Sequence, residues 1–247
     1  MRPLLAVALL ALLATTGCES TQARAGRLSN QGAAAFSEKG LDVKKANPDV
    51  RIGETTVLED DNGTAVMAEV RNVSDRPMVD VPLEMDVIDR DPKRPVFQNN
   101  EPGLEPGLVQ AAYLPPGGKL MWVHDEVYPS GGKARDVKIT PGESRGKVPK
   151  DVPELDVGKP KLAEDPFDGL YLRGKVKNPS KVEQARVVIF GVARKGDRIV
   201  AVGRSGVERL PAGGSKLYRI FFIGNPRGAS YEVQAPPTIL EDERKAP

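Results

Sequence analysis

The chain has 247 residues, with 36 lysines and arginines against 34 aspartates and glutamates and a formal charge of +2. That balance leaves no polyelectrolyte footprint and no run of cations with interleaved aromatics, so nucleic acid is not an expected partner. Twenty-five glycines and 22 prolines suit turn-rich β domains better than helix bundles, and one cysteine leaves the fold without an intramolecular disulfide.

Arg2 precedes an apolar run, residues 4–14, that ends in Thr15-Thr16-Gly17-Cys18. A charged start, about ten apolar residues and a small-residue end read as an export signal over 1–17, too short for a comfortable span. Gly17-Cys18 resembles the lipobox of bacterial lipoproteins, whose cysteine takes a diacylglycerol and becomes the first residue after cleavage. The resemblance implies lipidation at Cys18 and a chain anchored, extracytoplasmically, to a cell membrane or envelope. An ordinary cleaved signal with an incidental Cys18 is the competing reading, although an orphan thiol is disfavoured in an exported protein. Residues 18–47 lack sustained strand alternation and read as a flexible tether, with one helix-like stretch at Ala33-Ala34-Ala35-Phe36. No later stretch is apolar over a spanning length.

From there the chain repeats itself. Val57-Leu58-Glu59-Asp60, a turn at Asn62-Gly63 and an alternating strand into Asn72-Val73-Ser74 are answered about 106 residues later. The second copy reads Leu162-Ala163-Glu164-Asp165, a turn at Asp168-Gly169, then a strand into Asn178-Pro179-Ser180. Asn-Gly and Asp-Gly supply the positive φ that tight hairpins need. The alternation predicts one face for Val66, Ala68 and Val70, and likewise for Leu172, Gly174 and Val176. The next strands place Val79, Val81, Leu83, Met85 and Val87 against Ala185, Val187, Ile189, Gly191 and Ala193. Leu114-Pro115-Pro116-Gly117-Gly118 matches Leu210-Pro211-Ala212-Gly213-Gly214, each followed by an apolar strand, and both copies close on a strand running into proline. Short strands at this spacing predict an all-β chain of two tandem antiparallel sandwiches of roughly seven strands each. Their expected bounds are 48–141 and 159–240, with a linker over 142–158 and a disordered tail over 241–247.

A strand ending in Val-x-Asn-x-Ser, an alternating strand, then Leu-Pro-x-Gly-Gly before an apolar strand resembles the FxLYD-type immunoglobulin-like domain of bacterial envelope lipoproteins. The resemblance covers about 48–141 and 159–240. It implies an interaction or spacer module without catalytic residues or cofactor.

The residues themselves point the same way. His124, the single histidine, stands beside Asp125, but adjacent strand residues face opposite ways, so the pair is not an acid–base couple. It is expected as a surface or partly buried histidine. Glu59-Asp60-Asp61 and Asp86, Asp89, Asp91 lack the spaced loop of a calcium site, and zinc lacks ligands, so no metal is expected. The glycines Gly206, Gly213 and Gly214 read as turn residues, not as a phosphate loop.

Two surfaces remain as candidates. The first copy inserts 99–108, with a doubled Glu-Pro-Gly-Leu, which makes Glu101, Leu104, Glu105 and Leu108 a candidate interaction loop against the plain reading of a tolerated insertion. In the second copy Val188, Phe190 and Val192 occupy the strand face that is polar in the first (Asp80, Glu84, Asp86). A strand apolar on both faces must be covered on both: by the other domain, by the tether or by a partner. The expected function is therefore a lipid-anchored, non-enzymatic module contacting an unknown envelope protein or polymer. The alternative is an accessory solute-binding lipoprotein for a transporter or sensor, with its site between the domains near 142–158.

Overall fold

The computed structural model describes residues 40–148, 151–166 and 169–238. The signal over 1–17, Cys18, the tether as far as 39, Asp168 and the tail over 241–247 lie outside the described residues.

The described residues are nearly all-β, with several antiparallel sheets packed as sandwiches. The first repeat contributes β1 (Val50–Asp60), β2 (Gly63–Asn72), β3 (Met78–Ile88), β4 (Phe97–Gln98), a four-residue helix α1 (Pro106–Val109), β5 (Gln110–Leu114), β6 (Lys119–Val127) and β7 (Asp136–Pro141). The second contributes β8 (Asp156–Val157), β9 (Lys161–Asp165), β10 (Gly169–Lys177), β11 (Gln184–Lys195), β12 (Arg198–Leu210), β13 (Ser215–Phe221), β14 (Ile223–Gly224) and β15 (Ser230–Gln234). The sheets are β1-β2-β6; β3 with β5, β4 and β7; β14-β12-β11-β15; and β10 between β13 and the short pair β8 and β9. The stretch 142–158, expected as a linker, supplies strand β8, and Ser144 exchanges hydrogen bonds with the Val79 backbone at 3.0 and 2.6 Å.

Both repeats hang on the same polar knot. Asn72 and Asn178 are 1% and 0% exposed. The Asn72 amide donates to the carbonyls of Arg76, Leu114 and Pro115 at 2.6, 3.3 and 3.1 Å. That of Asn178 donates to Val182, Leu210 and Pro211 at 2.8, 3.4 and 3.2 Å. Each side-chain oxygen accepts from the serine two residues on, through both its N–H and its hydroxyl. One side chain thereby ties the end of β2 or β10 to the Leu-Pro turn that starts the last core strand. A buried polar group survives because every valence is met.

The apolar residues gather in two cores. The second joins Leu172, Val187, Ile189, Leu210, Tyr218 and Ile220 between the β11 and β10 sheets. Gly174 lies beneath Tyr218, whose ring an added Cβ would meet at 2.2 to 2.7 Å. The first core contains Met67, Leu83, Met85, Met121, Trp122 and Val123 but also crosses into the second repeat, taking in Val188, Phe190, Val192 and Val202. Consequently the described residues form one compact unit.

Candidate functional site

The seam between the repeats gathers most of the residues singled out by sequence. Val188, Phe190 and Val192 are 6%, 2% and 1% exposed and join the first repeat's core. Strand alternation explains which face meets them. His124 and Trp122 of β6 share the inner face with Val66 and Ala68 of β2, so Met67, Met121 and Val123 point the other way, toward β11 and β12. Full burial of a large apolar side chain contributes about 1.5 to 3 kcal/mol, and three lie here side by side.

Polar residues seal the seam's edges. Arg204 of β12, with its side chain 8% exposed, pairs with Glu105 at 2.9 Å and with Asp125 and Glu126 of β6. Arg186 reaches Glu105 at 2.9 Å, and Arg194 reaches Glu54 at 2.6 Å. Burial pushes the Glu105 carboxyl up, but the two guanidiniums outweigh it and hold it below the usual range. Backbone bonds cross as well: Met121 N–H donates to Gln234 at 2.8 Å and Gly224 N–H to Asp60 at 2.7 Å.

The insertion folds into this seam. Asn99 is wholly buried, accepting from Met85 N–H at 2.7 Å and donating to Leu83 and Leu108 carbonyls at 2.8 and 2.9 Å. Trp122 Nε1 donates to the Gly107 carbonyl at 2.8 Å. These bonds turn Leu108, a candidate interaction residue, into the core at 1% exposure, where no partner reaches it. Glu105 is engaged by Arg186 and Arg204; only Glu101 is exposed, and Leu104 is half-buried. Gly107 is required by proximity, since a Cβ there would stand 2.9 Å from Val188 Cγ2.

A cleft of about 270 Å³ opens beside α1, with Asp80, Gln110 and Arg186 at its polar side and Val188, Phe190 and Pro236 among its apolar lining. Burial raises the Asp80 carboxyl, opposed by Arg145, and Gln110 Nε2 donates to it at 2.9 Å.

His124 is buried more deeply than the surface or partly buried position that its sequence setting suggested. It is 0% exposed, edge-on to Phe97 and Trp122 at centroid distances of 5.5 and 5.8 Å, with neither ring nitrogen hydrogen-bonded. Burial, reinforced by the charge of Arg204, lowers its pKa to about 3, so it is a neutral core residue at ordinary pH. Asp125 points the opposite way, to Arg204. Among the described residues, no group of three His, Cys, Asp or Glu is placed to hold a metal, and no helix is long and apolar enough to cross a membrane. No family model and no curated protein matches the chain.

Proposed function

We propose that the chain is a lipid-anchored extracytoplasmic protein whose two immunoglobulin-like repeats form a rigid, non-enzymatic interaction or spacer module of the cell envelope. The observation that carries the module half is the filled seam: Val188, Phe190 and Val192 are spent on packing one repeat against the other. That makes a stiff body rather than two beads on a string. The anchor half rests on the residues at 1–18, where a short apolar signal ends in Gly17-Cys18. The test is fractionation of cells making the full chain. The wild type is expected to stay with membranes through a high-salt wash and to enter a detergent phase, and Cys18→Ser is expected in the soluble fraction after the same wash. Release of the wild type by salt alone would overturn the anchor.

A second reading, presentation of a small solute to a transporter or sensor, is favoured by the cleft beside α1. At about 270 Å³ it lies just under the range of small-molecule sites. Asp80 and Arg186 would orient a zwitterion there, and Asp80→Asn abolishing calorimetric binding of such a solute would support this reading.

A further inference from the structure

The outer face of the β13-β10-β9 sheet carries an unassigned surface. Antiparallel register sets Phe221 opposite Tyr171, Arg219 opposite Arg173 and Leu217 opposite Lys175, while Arg173 also faces Lys161 of β9. Directly paired residues share a face, and Leu172, Val176, Tyr218 and Ile220 take the inner one. Lys161, Arg173, Lys175 and Arg219 are therefore neighbours on one open surface, all exposed, and among the described residues none is paired with a carboxylate. Asp156, opposite Lys177, and Asp165, opposite Gly169, mark the two ends of the basic surface. Leu217 and Phe221 stand among these cations at 78% and 38% exposure. In a chain of net charge +2 this is a concentration of one sign, not an average surface.

The first repeat shows what the same face does elsewhere. By the tandem match, Met67, Met121 and Val123 of β2 and β6 hold the places of Arg173, Leu217 and Arg219. There the face is apolar and buried beneath β11 and β12. In the second repeat the packing face has become cationic, and none of the described residues covers it.

We propose that this face docks on an anionic lipid bilayer, its cations on the headgroup phosphates and Leu217 and Phe221 below them. Charge complementarity sets the sign, and two exposed apolar side chains in a flat cationic field favour an interface with an apolar interior. A single-stranded nucleic acid would need free aromatic faces for stacking. Here Tyr171 is 8% exposed, lies against Phe221 at 5.3 Å and is capped by the Arg219 guanidinium at 5.2 Å. The inference rests on the reading that the chain works at a membrane, and its test removes the acyl group so that the two fail separately.

The chain from residue 18 onward, carrying Cys18→Ser, is sedimented with vesicles of phosphatidylcholine alone or with one-third phosphatidylglycerol. Binding is expected only to the anionic vesicles and is expected to fall with salt. Each neutralised cation should weaken it about fivefold, so Arg173→Gln, Lys175→Gln and Arg219→Gln together should cost roughly a hundredfold. Leu217→Ser should weaken binding at every salt concentration. Lys195→Gln with Arg198→Gln, exposed at the β11–β12 turn, should leave it unchanged. All these side chains are exposed, so unaltered melting temperatures certify the fold. Equal loss in the control pair, retention in the triple variant, binding to neutral vesicles, or preference for single-stranded DNA would each overturn the proposal. Vesicle binding by the Cys18→Ser chain combined with salt release of the wild type from cells would remove the anchor and leave the face standing.

Discussion

At the scale of single residues, the two asparagine knots and the buried histidine carry distinct, measurable consequences. Asn72→Ala and Asn178→Ala each leave several buried backbone groups without a partner. Each should cost about 2 to 3 kcal/mol by denaturant unfolding, and the two costs should be alike because the geometry is duplicated. His124 gives a pH dependence. Its folded pKa of about 3 lies below the ordinary 6.5, so the unfolded chain takes the proton first as pH falls. Stability is intact above pH 6.5 and declines below it, by about 1.4 kcal/mol per pH unit, until about pH 3. Between pH 6.5 and 4.5 the histidine's loss is about 2 kcal/mol. Glu69, Glu105 and Asp89, whose carboxyls are held below the usual range by their guanidinium partners, stabilise the fold when ionised and lose that stabilisation only below about pH 4.5. His124→Phe isolates the histidine: its stability should fall less over that interval, measured by urea midpoints at the two pH values.

At the scale of elements, β11 and β12 decide how the repeats meet. Phe190→Asp places a charge where a ring is 2% exposed and should loosen the repeats, seen as a larger particle in small-angle scattering. An unchanged scattering profile in a folded variant would mean that the seam does not depend on this ring. Arg204→Met leaves Glu105, Asp125 and Glu126 facing one another at a partly buried site and should cost about 3 to 5 kcal/mol. The double apolar face of β11 was legible in the sequence because Val188, Phe190 and Val192 alternate with Val187, Ile189 and Ala193. What covers it was not, since the covering residues Met67, Met121 and Val123 lie far away in the chain and alternate with a core face of their own. Helix α1 was equally hidden. It is four residues of Pro-Gly-Leu-Val, held by Asn99 and Trp122 and not by helix propensity.

At the scale of the molecule, the repeat was the clearest message in the sequence, since turn glycines, Asn-x-Ser and period-two strands recur at matched offsets. The basic outer face was illegible as a run. Arg173, Lys175 and Arg219 alternate along two strands with Leu172, Val176, Tyr218 and Ile220, so only register brings the cations together. The same register logic joins the two repeats through a shared core, because the first core borrows Val188, Phe190, Val192 and Val202 from the second repeat. Differential scanning calorimetry of the chain from residue 18 onward, carrying Cys18→Ser, tests this most directly. One transition with equal calorimetric and van't Hoff enthalpies is expected. Two resolved transitions, each with the enthalpy of a single repeat, would contradict a shared core.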